Sequence, residues 1–282
     1  MRRLTYENAR GERIVFYLSP ILIESLTGIG EVDADLQGQK SPYQDGETHL
    51  DAILQPRFID LEGSILKTDL KEMKTYRKHI LRVCNPKLGL GKITLELDGD
   101  IKEIYGVLDG APTFPERGRD VWQKFLITWK CPDPYWRDPQ EVSRALRAYE
   151  GKFTFPFTFP VQFGIEGDVT TLQNDGDTST PVTISIQGPI SRPMIENRTT
   201  GKHITVNTTL SPEEVLYIDT SRQHKHVEIY RGNHIIRAMG YLDHNSDFWE
   251  LEVGDNEIRY RADEGLAEAV AAISWHNQYV GM

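Results

Sequence analysis

Residues 57–66 read RFIDLEGSIL, and this stretch shows most clearly how the chain folds. One set of alternating positions carries Ile59, Leu61 and Ile65, while the other is mostly polar. Successive side chains of a β-strand point to opposite faces, so this alternation predicts a long strand with two unlike faces. The same two-residue period recurs along much of the chain and predicts a mainly β protein.

The segment that follows has a different period. Apolar residues recur three and four positions apart from Leu70 to Cys84, with Thr68-Asp69 as a start signal and Asn85-Pro86 as a stop. This pattern predicts a single helix, Thr68 to Cys84, packed on a sheet. The other strands predicted in this half are Arg13–Tyr17, Ile21–Ser25, Glu31–Gln37, Lys92–Leu97, Ile101–Leu108 and Val121–Cys131.

A polar, turn-rich stretch lies between Gln37 and Leu54. It contains Ser41-Pro42 and Asp45-Gly46, two pairs that are typical of turns. We therefore expect an exposed loop or a protruding hairpin here. In an assembly of several copies, such an arm could reach a neighbour.

A domain boundary is predicted near residue 145, which gives domains 1–145 and 146–282. The stretch from Pro132 to Gly151 ends a strand, carries charge and suggests a short helical turn. After it, the aromatic and proline-rich residues Phe153–Pro160 suit an edge segment lying on a sheet. Short strands with frequent turns follow and predict a β-sandwich or jelly roll. These strands are Val169–Asn174, Pro181–Gly188, Val215–Asp219, Phe248–Val253, Ile258–Ala262 and Ala269–Trp275, with hairpin turns at Thr200-Gly201 and Gly232-Asn233.

Charge and composition argue against several classes of protein. The 282-residue chain has a formal charge of −10, and its basic residues form no cluster longer than Arg2-Arg3, so we expect no tight binding to nucleic acid. No apolar run is long enough to cross a bilayer, which predicts a soluble protein without a signal peptide. Cys84 and Cys131 lack ligands at metal-binding spacing and are expected to be free, packed thiols.

Four histidines and three acids are the candidates for chemistry. His224, His226, His234 and His244 lie on or near one predicted hairpin, but no carboxylate or cysteine completes a metal site, so none is predicted. Two carboxylates on a strand could serve a glycoside hydrolase. The sequence places Glu250, Glu252 and Asp255 close together, although their order does not match such a motif and a solvated strand face explains them.

Aromatic residues and glycine-rich turns complete the candidates. Tyr241, Trp249 and Trp275 could stack on sugar rings in a carbohydrate-binding adhesin, but packing in a core explains them as well. The stretch from Leu88 to Lys92 departs from a phosphate-binding loop, and Asp98–Asp100 falls short of a calcium loop. We therefore predict no catalytic residue, no cofactor and no metal.

The second half of the chain resembles the siphophage distal tail protein (Dit) family. In that family, an Asn-x-Gly turn precedes a strand that ends in glycine, and a Thr-Gly-Lys hairpin and an Ile-Asp-Thr strand follow. Residues 248–251 with Gly254 and Asn256 are similar to the family's penultimate hairpin. The matching pieces of the second half are Asn174–Asp177, Pro181–Pro189, Asn197–Lys202, Ile204–Asn207 and Leu216–Thr220.

The first half is similar to the same family. Asp45-Gly46 precedes the long strand at Arg57, one helix runs from Thr68 to Cys84, and Pro132–Trp136 closes the domain. The resemblance implies a tail-tube-like N-terminal sandwich or barrel-like sheet with one helix, and a galectin-like C-terminal sandwich that projects outward.

The function implied by this resemblance is structural and not enzymatic. Six N-terminal domains would form a ring at the virion tail tip, assembled in the bacterial cytoplasm, through which DNA passes. The ring would join the major tail tube protein to a tail-tip protein or tail-associated lysin, and some members also carry receptor-binding proteins. An acidic chain suits a channel that must not bind DNA. The alternative is a carbohydrate-binding module of the tail tip.

Overall fold

The computed structural model describes residues 2–67, 69–115, 122–146, 169–266 and 268–282. The chain forms two compact units, Met1–Pro139 with Tyr279–Met282, and Gln140–Gln278. Phe153–Pro160, where an edge segment was predicted, lies outside the described residues, as does Val121. The helices in the described ranges are all too short or too polar to traverse a membrane.

The first unit is built on a sheet in the order β2-β1-β7-β8-β9-β6-β3, and β10 pairs with β8 at its side. This order is open at both ends, so the sheet does not close into a barrel within the described ranges. A separate two-stranded ribbon is formed by β4 and β5. The strands are β1 (Arg2–Glu7), β2 (Arg13–Phe16), β3 (Ile21–Thr27), β4 (Ala34–Gln39), β5 (Thr48–Leu54), β6 (Arg57–Leu66), β7 (Gly91–Leu97), β8 (Asp100–Leu108), β9 (Trp122–Cys131) and β10 (Trp136–Arg137).

Strand β6 confirms the alternation seen in the sequence. Ile59, Leu61 and Ile65 are buried, whereas Asp60 and Glu62 are exposed. The strand pairs antiparallel with β9 on one side and β3 on the other, so its apolar face contributes to a core. The sequence-based strands missed β1, which lies between β2 and β7. Its charged residues hide the short alternation that buries Leu4 and Tyr6.

Helix α1 (Leu70–Val83) confirms the predicted helix. Its N-terminus is capped by the side chain of Asp69, which accepts a hydrogen bond from the backbone N–H of Lys71 at 2.9 Å. Met73, Ile80 and Val83 face the core of the first unit. A 3₁₀ turn, Pro86–Leu88, then leads into β7, so the stretch from Leu88 to Lys92 is a turn into a strand, as predicted.

The second unit is a β-sandwich, which confirms the mainly β prediction. One sheet has the order β11-β24-β14-β19-β20-β21 and the other β12-β23-β16-β17, and both contribute to one apolar core. A 3₁₀ turn spans Met239–Tyr241. The strands of this unit are β11 (Val142–Leu146), β12 (Val169–Asn174), β13 (Thr180–Pro181), β14 (Thr183–Gln187), β15 (Ile190–Ser191), β16 (Met194–Asn197), β17 (Lys202–Thr205), β18 (Thr209–Leu210), β19 (Glu214–Asp219), β20 (His226–Arg231), β21 (His234–Arg237), β22 (Glu250–Leu251), β23 (Gly254–Arg261) and β24 (Val270–Trp275). The last strand of the chain, β25 (Gln278–Tyr279), pairs with β10.

The short helical turn suggested between Pro132 and Gly151 does not occur in the described residues up to Leu146, where strand β11 pairs with β24 and buries Leu146 in the sandwich core, and residues 147–151 lie outside the described part of the chain. Another sequence-based expectation for this half is wrong. The expected penultimate hairpin does not form, because β22 pairs with β13 while β23 pairs with β12 and β16. The Asn256 side chain connects β22 and β23 instead of strand pairing. Its Oδ1 accepts a hydrogen bond from the backbone N–H of Glu252 at 3.0 Å, and its Nδ2 donates to the Glu252 carbonyl at 2.8 Å.

The two thiols are free and buried in the core of the first unit, as predicted. Burial raises the pKa of Cys84 to about 12. Burial likewise raises the pKa of Cys131 to about 12, against the opposing charge of Arg57. Both groups therefore remain protonated at neutral pH and pack as small apolar side chains.

Arg57, at the start of β6, is a buried cation that binds four backbone carbonyls from three parts of the chain. Its Nη1 donates to the carbonyl oxygens of Gly28 and Glu31, both at 2.9 Å, and its Nε donates to Pro134 at 2.8 Å. Nη2 donates to the carbonyl oxygen of Val280. Burial lowers the pKa of Arg57, but the planar guanidinium has enough donors for all four acceptors.

Glu31 fixes the loop on which Arg57 acts. Its carboxylate accepts hydrogen bonds from the backbone N–H groups of Gly28 and Gly30, at 3.1 and 3.3 Å. Hydrogen bonds from its own backbone N–H and that of Gly28 lower the pKa of Glu31. The Met282 N–H donates to the Ile29 carbonyl at 3.2 Å, so the last residues of the chain are tied to the same loop.

We expect Arg57→Met to lower the free energy of unfolding by at least about 3 kcal/mol, because four carbonyls, all at least partly buried at the bond, lose their charged donor. Arg57→Lys should also destabilise, since one ammonium group cannot bind four carbonyls spread over three chain segments. Urea unfolding followed by tryptophan fluorescence measures both changes. The exposed Arg10→Met is the control, with an expected change below about 0.5 kcal/mol. An Arg57→Met variant as stable as the control would contradict this role.

Candidate assembly surface

The β4–β5 hairpin, called the arm below, pairs with no other strand in the described part of the chain. Its register joins Ala34 to Leu54 and Leu36 to Ala52, and a bulge follows Gln37. The prediction of a protruding hairpin between Gln37 and Leu54 is therefore confirmed, although the first strand begins earlier, at Ala34.

The two faces of the arm differ in character. Paired residues of antiparallel strands point to the same side, so Ala34, Leu36, Ala52 and Leu54 form one apolar face. The opposite face carries Asp35 with Ile53, and Gln37 with Asp51. Leu36 is 65% exposed, and Leu50 at the bulge is 61% exposed. The apolar face is thus turned toward solvent in a single copy of the chain.

An isolated two-stranded ribbon is marginally stable in water, because it has no core and both its edges have free hydrogen-bonding groups. An exposed apolar face of this kind marks an interaction site. The root of the arm is well fixed, since Arg57 binds the Glu31 carbonyl just before β4 and itself lies just after β5. The arm is therefore held at its root, and its apolar face is exposed in a single copy of the chain.

The four candidate histidines do not form a metal site. His226 Nδ1 donates to the carbonyl oxygen of His224 at 2.8 Å, and its ring stacks on Tyr217 with centroids 5.6 Å apart. His234 lies on the exposed strand β21 and His244 on an exposed loop. Within the described ranges, no three His, Cys, Asp or Glu side chains are placed to hold a metal ion.

The acidic candidates are not arranged as a catalytic pair. The Glu250 carboxylate accepts hydrogen bonds from Arg222 Nε at 2.8 Å and Nη2 at 2.6 Å, and from Ser179 Oγ at 2.7 Å. Burial acts to raise the pKa of Glu250, but the bonds from Arg222 and Ser179 outweigh it, so the pKa lies below its usual value. Glu252 and Asp255 are exposed on either side of a turn. Glu250 therefore serves as a structural ion-pair partner.

Two of the three candidate aromatics lie in the sandwich core. Trp249 is 1% exposed and Trp275 is 3% exposed, and Trp275 Nε1 donates to Asn277 Oδ1 at 3.2 Å. Neither indole offers a free face on which a sugar could stack. Tyr241 is exposed in the 3₁₀ turn between β21 and β22. The buried tryptophans thus remove the main support for a carbohydrate-binding surface based on these residues.

Two features of the arm region escaped the sequence analysis. The first is the apolar face that Leu36 and Ala52 share, which the many turn residues of the segment hid. The alternation of apolar and polar residues on both sides of the turn would have predicted it. For Arg57 the sequence holds no local signal. Its position at the start of an apolar strand does not reveal that its side chain turns inward to bind carbonyls.

The chain matches two family models. Residues 9–131 match a phage tail protein RIFT-related domain, and residues 175–279 match the C-terminal domain of a siphovirus-type tail component. Between them the two models span most of both compact units. No curated protein matches the chain.

Two solved structures have a similar fold. The first is the Dit protein (gp 19.1) of phage SPP1, described as a paradigm of the hub adsorption apparatus of phages that infect Gram-positive bacteria. It shares 13% sequence identity with the chain over 98% of each protein, with a TM-score of 0.70. The second is a chain of the phage P2 baseplate in its activated, calcium-containing conformation. It shares 13% sequence identity, the match covers 97% of this chain and 98% of that chain, and the TM-score is 0.53.

We expect Glu250→Gln to destabilise the protein by about 1.5 kcal/mol at pH 7, because Arg222 loses its charged acceptor. The folded-state pKa of Glu250 is depressed, so this stabilisation is complete above the unfolded pKa and disappears as pH falls through the folded pKa. Thermal unfolding of both proteins between pH 7 and pH 3 tests the idea. The difference should shrink toward low pH, and a constant difference would contradict the ion-pair role. Glu252→Gln is the exposed control.

Proposed function

The chain belongs to the siphophage distal tail proteins, structural components of the tail and baseplate hub, and we propose that its copies close into a six-membered ring at the tail tip. The observation that carries this proposal is the exposed apolar face of the arm, with Leu36 at its centre. Nothing in the chain's own described residues covers that face. A neighbouring copy in the ring would do so.

A closed ring requires a head-to-tail contact, in which one patch of each copy meets a different patch of the next. The arm suits such a contact, because its apolar face is exposed in a single copy and its root is held by Arg57. In this proposal the N-terminal domain, predicted from the sequence as residues 1–145, forms the ring. The galectin-like second unit supplies a docking surface.

The partners follow from the position of such a ring. We propose that it joins the major tail tube protein to a tail-tip protein or tail-associated lysin, and that receptor-binding proteins dock on it in some assemblies. The ring would assemble in the host cytoplasm and let DNA pass. A formal charge of −10 supports this passage, because an acidic wall repels phosphate.

The proposed role is assembly without catalysis. Glu250, the best-placed acid of the sequence analysis, is occupied by Arg222 and Ser179. Cys84 and Cys131 are buried with raised pKa values, which opposes a nucleophilic role. These observations support a structural protein that acts through its surfaces.

We expect Leu36→Ser to weaken the ring. Burying a leucine contributes about 2 kcal/mol, so its loss should raise the dissociation constant of each interface between copies roughly 30-fold. Native mass spectrometry over a range of protein concentrations gives the distribution of oligomers. The matched control is Ile53→Ser, which removes a similarly exposed apolar residue from the opposite face of the arm.

Deletion of residues 37–54 is the stronger form of the same test and should leave only monomers. A deletion variant that still forms complete rings would refute the arm as the contact. Equal effects of Leu36→Ser and Ile53→Ser would show that the apolar face has no special role.

A further inference from the structure

We propose that the arm of one copy docks on the outer face of helix α1 of the next copy, an inference that rests on the proposed ring. The docking surface is a stripe of exposed residues, called the α1 stripe. It consists of Lys71, Lys74 and Lys78 beside Leu70 and Leu81.

The α1 stripe is continuous because of helical spacing. Lys71, Lys74 and Lys78 lie three, four and seven positions apart, which brings them to one side of the helix, away from the buried Met73 and Ile80. Leu70 is 43% exposed and Leu81 is 39% exposed. Leu70 lies four positions before Lys74 and Leu81 three positions after Lys78, which places both along the edge of this side. The stripe thus combines two apolar residues with three cations.

The three lysines have no salt-bridge partner among the described residues, although other cations of the first unit do. Lys67 pairs with Glu72 and Arg82 with Glu12, so the ends of the helix are neutralised while its middle is not. An uncompensated basic stripe is unusual on a chain with a formal charge of −10. Such a stripe fits an acidic partner.

The arm has the complementary charge. It has the acidic side chains of Asp35, Asp45, Glu47 and Asp51, against the single lysine Lys40. A two-stranded ribbon is a single backbone layer and lysine side chains are long, so lysines beside the apolar face can come within about one Debye length, roughly 8 Å, of carboxylates on the other face. The apolar face would cover Leu70 and Leu81 while Lys71, Lys74 and Lys78 attract the acidic edge of the ribbon.

The arm that docks on the α1 stripe belongs to a second copy and not to the same chain. Leu36 on the arm and Leu81 on the helix are both exposed in one chain, so the arm is not docked on its own helix. Every copy carries one arm and one stripe. A ring in which each copy gives its arm to one neighbour and receives the arm of the other therefore uses all of these surfaces.

The test is a charge exchange in the full chain, read by native mass spectrometry at low ionic strength. The helix variant is K71E/K74E/K78E, the arm variant is D35K/D51K, and the third protein combines both. Each variant alone should need at least tenfold more protein to assemble than the wild type. The combined variant should return to within about threefold of the wild type, because the attraction is restored with opposite signs.

Controls separate this inference from misfolding and from the ring proposal. Circular dichroism melts check that each variant folds, and K71Q/K74Q/K78Q replaces the helix variant if that one does not. Lys202→Glu in the second unit controls for added negative charge. A wild type that stays monomeric at every concentration would refute the proposed ring itself. Normal assembly of the helix variant, or no recovery in the combined variant, would overturn the docking of the arm on α1.

Discussion

The first unit depends on one buried cation. Arg57 binds the carbonyl oxygens of Gly28, Glu31, Pro134 and Val280, and so joins the loop before the arm, the turn after β9 and the end of the chain. Removing a guanidinium from water is unfavourable unless its donors are satisfied, and this one has four acceptors. The guanidinium can occupy this place only when all three segments are correctly positioned.

This constraint connects the fold to the proposed function. The arm leaves the unit between Glu31 and Arg57, so the same hydrogen bonds that close the core also set the direction in which the arm leaves. A fixed root reduces the entropy lost when the arm docks. The apolar face around Leu36 then gains from burial against a neighbour, which it cannot obtain within its own chain.

The parts of the fold that were predictable have local signals. Strand β6 and helix α1 follow clean periods of two and of three to four residues, and both were found from the sequence. Strands β1 and β11 were missed because charged residues interrupt their alternation. The wrong pairing of β22 has another cause, since its true partner β13 lies far back in the chain and leaves no mark on the local pattern.

The candidate surface was likewise predictable only where it has a local sequence signal. That the stretch between Gln37 and Leu54 protrudes was predictable from its turns, whereas its apolar face required the register of β4 and β5. The partners of Arg57 lie 26 to 223 residues away, beyond the reach of any local pattern. The buried Trp249 and the ion-paired Glu250 show that residue type alone overstated the chemistry of the second unit.

Electron microscopy of the purified full-length chain would show whether its copies close into a ring, because class averages report the symmetry of the particles. We expect rings with a single six-fold axis and an open centre, with neighbouring copies joined head to tail. Solitary particles at high concentration, or dimers related by a two-fold axis that places like surfaces together, would contradict it.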